Sequence, residues 1–232
     1  LKEALESDSG GKPDLYESTG VSEDITDSDA EPLDAVISSS EFKSCELLKK
    51  NYNKIYNTKK RMPLAVNLPV AYMFGKSYTD QYFYDISDFS AQNVKSDIGM
   101  SDLITKNFGN IEMCDFSEIS QADDLSGTVL VSSIEMLNPI TALNYRNEKF
   151  SFKCVYPEKD PLFCEFTYEW SISDRTSQAE KKAAEKLLRY MLNNDYLSKL
   201  CSDKIPVSVD ALNSAKFGAV ADIYPNFTFE EE

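Results

Sequence analysis

The side chains that most often carry catalysis are missing or dispersed in this sequence. None of its 232 residues is histidine, which removes the commonest general base and the commonest metal ligand together. Ser-His-Asp and Cys-His catalysis and histidine-based zinc sites are excluded with it. The five cysteines, Cys45, Cys114, Cys154, Cys164 and Cys201, contain no CxxC pair and are too few and too scattered for a disulfide framework. Cys154 and Cys164 flank VYPEKDPLF, which leaves two readings open: a bridge across a loop, or buried thiols packing as small hydrophobes. Carboxylates are plentiful, with 39 Asp and Glu, and glycoside hydrolysis needs two of them at a fixed separation. At that density Glu165 with Glu169, or Asp85 with Asp88, arise by chance and identify no site. Eight glycines without Rossmann or P-loop spacing provide no phosphate cradle. DITDSDAE, residues 24–31, places alternate oxygens but lacks the central Gly and terminal bidentate Glu of a calcium loop, so it reads as a solvated loop. No cofactor or metal is expected.

The side chains that remain bind rather than react. Trp170 is the sole tryptophan, and Tyr168 shares its strand face. Aromatic rings stack on the C–H faces of sugars or hold a cation over the ring, and they also pack cores.

The net charge of −15 and pI near 4.5 exclude a nucleic-acid partner, which requires clustered Lys and Arg. Hydrophobic residues make up 42%, the ordinary content of a folded protein, and 232 residues suffice for one large domain or two lobes. No run approaches the roughly 18 apolar residues of a membrane span, and LKEALESDSGGK has no signal-peptide core. The chain opens on what reads as the end of a helix, so it is expected to be part of something longer.

Several elements are needed to position any site. KPDLYEST gives a short buried strand ending in Ser18 and Thr19, and GVSEDITDSDAEPLDAVISSS a polar loop. SSSEFKSCELLKKNYNKIYNTKK reads as one helix capped by Ser39 or Ser40, with Phe42, Cys45, Leu47 or Leu48 and Tyr52 on its apolar face. RMPLAVNLPVAYMFG, residues 61–75, is the most apolar run; Pro63 and Pro69 bar a helix interior, so it is extended with a break. A short helix is expected at DISDFS. GTVLVSSIEMLNPITALNY is a buried strand passing through Ser132 and Ser133 into a helix. KFSFKCVYPEKDPLFCEFTYEWSIS gives two strands around the Pro157–Pro161 turn. Ser177-x-x-Glu180 is a capping box. Ala179, Ala183, Ala184, Leu187, Leu188, Met191 and Leu192 form the core stripe of the helix it opens, and Asp195 caps the next helix.

In this order the pieces resemble the bacterial extracellular solute-binding proteins of uptake transporters, which have the type 2 periplasmic-binding fold. LKEALESDSGGKPDLYEST resembles the family's helix end, break and short strand. RMPLAVNLPVAYMFG resembles the segment crossing into the second lobe, LSGTVLVSSIEMLN that lobe's strand-to-helix element, and VYPEKDPLFCEFTYEWSIS the return strand. The most specific match is QAEKKAAEKLLRYMLNNDYLSKL followed by KIPVSVDAL, an Ala-Ala-x-x-Leu-Leu helix, a second helix and a Pro-containing tail. Two features depart from the family: its opening strand, helix and strand have no counterpart before Leu1, and the acidic loop after Thr19 is atypical.

The resemblance implies an α/β, two-lobe fold of mixed sheets flanked by helices, with a ligand cleft between the lobes. Residues 1–66 begin lobe 1, 67–165 form lobe 2, and 166–232 return to lobe 1. Ligand contacts are then expected from Ser18, Thr19, Asn67, Tyr72, Ser132, Ser133, Tyr156, Tyr168 and Trp170. The serines and Thr19 serve equally as caps or turn formers, and Trp170 and Tyr168 as core. The implied role is capture of a small solute, a sugar or other polar molecule, by hinge closure for an ABC-type membrane permease. The protein would be extracellular and membrane-anchored as a lipoprotein, or periplasmic, and not an enzyme. Two alternatives follow: an interaction or adhesion module using the same fold, and a carboxylate-based hydrolase. The acidic balance favours a neutral or cationic ligand.

Overall fold

The computed structural model describes residues 14–21, 28–75, 93–97, 101–122, 125, 127–147, 151–155, 160–201, 204–212 and 220–230. The helix expected at DISDFS, the pair Asp85 and Asp88, and Tyr156 lie outside the described residues.

Two sheets organise the chain. The first has four strands, β1 (Leu15–Glu17), β9 (Glu165–Ile172), β2 (Met62–Asn67) and β10 (Ile205–Pro206), in that spatial order, and every pairing is antiparallel. The second has five, in the order β5 (Glu112–Cys114), β4 (Asn93–Asp97), β6 (Thr128–Ser133), β3 (Pro69–Gly75) and β7 (Ser151–Val155). Here β4 runs parallel to β5 and β6, while β3 is antiparallel to β6 and β7. A two-stranded ribbon pairs β8 (Leu162–Phe163) in parallel with β11 (Phe227–Thr228).

Among the described residues the helices are α1 (Asp34–Ile37), α2 (Ser40–Ser44), α3 (Glu46–Ile55), α4 (Ser101–Phe108), α5 (Phe116–Gln121), α6 (Leu137–Asn147), α7 (Gln178–Met191), α8 (Asn194–Leu200) and α9 (Val220–Ile223). The single helix expected within residues 38–60 is two, because Cys45 takes an extended conformation (φ −85°, ψ 102°) between them. Ser39 Oγ caps the first by accepting from the Phe42 N–H at 3.2 Å. The polar loop expected over 20–40 is also corrected in part: α1 lies within it, with Leu33 and Val36 fully buried.

The apolar run 61–75 is two successive strands, β2 and β3, with the break at Leu68. Each strand is buried along nearly its whole length, which is why the segment does not alternate. On the second sheet, Ala71, Met73, Val129 and Val131 pack with Ile104 of α4, while Tyr72, Phe74 and Leu130 join the main core. Helices therefore cover both faces. The strands on either side of Pro157 and Pro161 do not form a hairpin: β7 pairs with β3, and β9 with β1 and β2. Cys154 and Cys164 are both buried free thiols.

Helix α7 opens on the expected capping box, with both reciprocal bonds of Ser177 and Glu180 present. Its buried stripe is narrower than expected. Ala184, Leu188 and Met191 are buried, as is Leu192, but Ala179, Ala183 and Leu187 are exposed. The helix packs against α1, α2, α8 and β9, and residues about 100° from the packed stripe face solvent whatever their polarity. The cap of α8 is Asn193 rather than Asp195, its side chain accepting from the Tyr196 N–H at 3.1 Å.

Candidate functional site

Asn67 ends β2 in the first sheet, and after Leu68 the chain enters β3 of the second. The backbone thus passes from one sheet to the other at Leu68. The Asn67 side chain is bonded to both sides of it. Its Nδ2 donates to Glu165 Oε1 at 2.9 Å, and its Oδ1 accepts from Ser133 Oγ at the end of β6. Ser133 Oγ also accepts from the Glu135 N–H at 3.1 Å and so caps the turn that leads into α6. The Ile134 N–H donates to the Leu68 carbonyl at 3.0 Å. Asn67 and Ser133, both partly exposed, are thus brought into direct contact.

Tyr72 and Ser132 stand just behind. Both are fully buried, and Tyr72 Oη donates to the Ser133 carbonyl at 2.8 Å, with that of Ile134 at 3.2 Å. Ser18 is likewise fully buried, accepting from Ser171 Oγ at 3.0 Å, while Thr19 is exposed, its Oγ1 accepting from the Glu169 N–H at 2.7 Å. These bonds fasten the end of β1 to β9.

Tyr168 and Trp170 are partly buried on β9, with ring centroids 5.7 Å apart and planes at 87°, the edge-to-face geometry that aromatic quadrupoles favour. Tyr168 has φ of +54° in the middle of its strand, a conformation costing about 1–2 kcal/mol for a residue with a Cβ. Burial, and after it a hydrogen bond with Tyr196, pushes its phenol up to about 12, so the ring stays neutral. Above that ring, 5.6 Å from its centroid, sits Lys204 Nζ, which also donates to Glu135 Oε1 at 3.0 Å.

Lys204 and Glu135 were not among the residues expected from sequence. They are separated by 69 positions, and neither stands in a motif; only Glu135's place two residues beyond a capping Ser could have drawn attention to it. Arg61 was missed in the same way. It forms a buried pair with Glu169 at 3.1 Å and donates to the Val21 carbonyl at 3.0 Å. Tyr56 also donates to Glu169, and burial followed by the Glu169 charge pushes this phenol well up. Glu169 is thereby committed to a structural network and Glu165 to Asn67, which gives these two carboxylates separate duties. Among the described residues no group of His, Cys, Asp and Glu is arranged to hold a metal ion, and no helix is long and apolar enough to cross a membrane. A surface depression of about 570 Å³ lies elsewhere, lined by Lys43, Ser44, Glu46, Lys49, Lys50 and Asp210.

No protein-family model and no curated protein matches the sequence. Solved structures do match. UgpB from Mycobacterium tuberculosis, in complex with glycerophosphocholine, is 14% identical and superposes with a TM-score of 0.65 over 99% of this chain and 75% of its own. The cyclic alpha-maltosyl-1,6-maltose binding protein from Arthrobacter globiformis is 14% identical, with a TM-score of 0.60 over 99% of this chain and 76% of its own. Ferric iron-binding protein A from Mannheimia haemolytica, in an open conformation, is 12% identical, with a TM-score of 0.55 over 82% and 68%. The fold is the two-lobe periplasmic-binding one. At these identities the likeness concerns architecture.

Proposed function

We propose that this chain is the solute-binding component of an ABC-type uptake system, capturing a small polar molecule between its lobes by hinge closure and not transforming it. The observation that carries this reading is the Asn67–Ser133 contact, where polar side chains from the two lobes meet beside the Leu68 crossing. The proteins that share the fold support it, since their names describe the binding of solutes as different as a maltosyl sugar and ferric iron.

Within this reading Thr19, Asn67, Ser133, Tyr168 and Trp170 contact the ligand. Ser18, Tyr72 and Ser132 hold those residues in place from behind. Ligand contacts from both lobes stabilise the closed state, and the population shifts by as much as the two states differ in affinity. The working location is outside the cytoplasmic membrane, tethered near a permease that accepts the released solute.

Small-angle scattering across sugars, polyamines, short peptides and oxyanions tests the reading. One class of ligand is expected to reduce the radius of gyration and raise the melting temperature. No compaction and no thermal shift with any class would overturn solute capture in favour of an interaction module built on the same fold.

A further inference from the structure

Lys204 occupies an unusual position. It immediately precedes β10 of the first lobe, yet its ammonium group is held by Glu135, which follows β6 of the second, at 3.0 Å. On its other side lies the ring of Tyr168, 5.6 Å from Nζ to centroid, within the reach of a cation–π interaction. Tyr168 is itself braced edge-on by Trp170 and held in a left-handed backbone conformation. A carboxylate on one side and an aromatic face on the other make a receptor for an organic cation. Here the cation is part of the chain. The pair is open to solvent, with 20% of the Lys204 side chain and 37% of the Glu135 side chain exposed, and a chain of net charge −15 concentrates cations around itself.

We propose that Glu135 and Tyr168 form a cation subsite in which Lys204 is a tethered stand-in for the ligand, so that the captured solute carries an alkylammonium group that displaces it. The inference rests on the reading of this region as the ligand cleft. Displacement exchanges an interlobe contact within the protein for one made through the solute, which couples recognition to the relative position of the lobes.

The test is chemical complementation, read by the fluorescence of Trp170, the only tryptophan. K204A removes the atoms equivalent to n-propylammonium. That ion is expected to titrate K204A saturably and about ten-fold more tightly than wild type, where Lys204 competes, and to bind K204A/E135Q about ten-fold more weakly than K204A. Propanol, of the same shape without the charge, is expected to leave K204A unchanged. K204M with ammonium is the second variant, since Met keeps the stem out to Cε and lacks only the charged tip, should K204A not fold. Equal binding to K204A and K204A/E135Q, or no saturable response in either folded Lys204 variant, would overturn the subsite. Saturable, Glu135-dependent binding supports it even where wild type shows no compaction with any ligand; that combination would sink solute capture and leave the cation subsite standing.

Discussion

Glu169 shows how much one side chain can do for this fold without touching a ligand. Its carboxylate accepts from Arg61 and Tyr56, its N–H donates to Thr19, and its carbonyl accepts from the Ser18 N–H. Three separate stretches of the chain are tied through it. The side chains of Arg61 and Glu169 are only 10% and 11% exposed, so removing one charge strands the other away from water. E169Q is therefore expected to cost about 3–5 kcal/mol in urea unfolding, whereas substitution of exposed Glu118 is expected to change stability by less than about 0.5 kcal/mol. The thiols make a second prediction at this scale. Burial, with the charge of Glu46 behind it, pushes Cys45 up to about 12. A group whose folded value is raised contributes fully below its unfolded value and loses that contribution as pH rises through the folded one. Stability is expected to fall between about pH 9 and pH 12 as the unfolded thiol ionises first. Below that window all five buried cysteines are expected to react with a thiol reagent only as fast as the protein opens, which mixing native and urea-unfolded protein with the reagent at pH 8 would check.

At the scale of elements, α7 separates what local sequence encodes from what it leaves to the partner surface. The capping box was legible because both of its bonds lie within four residues, and Ser177→Ala is expected to cost about 1 kcal/mol in thermal or urea melts. The width of the apolar stripe was not legible, because α1 and α2, which pack on it, come from distant sequence. Leu187 is 47% exposed and Leu188 is fully buried. Leu188→Ala is accordingly expected to cost about 2–5 kcal/mol and Leu187→Ala less than about 0.5 kcal/mol, although a helical wheel drawn from sequence puts both on the core side. The candidate site divides in the same way. Asn67 and Ser133 followed from the resemblance of their segments, the run 61–75 and the strand-to-helix element around Ser132 and Ser133, to those of bacterial solute-binding proteins. The break of the first helix at Cys45 and the approach of Lys204 to Glu135 depend on tertiary packing and left no local trace.

For the whole molecule, the two sheets draw on the sequence very differently. The second takes its five strands from residues 69–155, whereas the first gathers four short strands from residues 15–17, 62–67, 165–172 and 205–206. Contacts between distant segments must wait for loop closure. In refolding followed by pulsed hydrogen exchange, amides of β3 and β6 are expected to gain protection before those of β1 and β10; simultaneous protection would mean that the lobes form as one unit.

The closing stretch of the chain bears on how the lobes can move. β11 lies along β8, Phe229 stacks on Phe166 at 4.1 Å, and Glu230 pairs with Lys106 of α4, while Asn107 of the same helix brackets both backbone groups of Phe163 at 2.7 and 2.9 Å. The joint thus has a strap lashed across it beside the polypeptide threads that run from one half to the other. A strap that grips β9 on one side and α4 on the other opposes their separation, and cutting it before Phe227 is expected to leave the two halves looser.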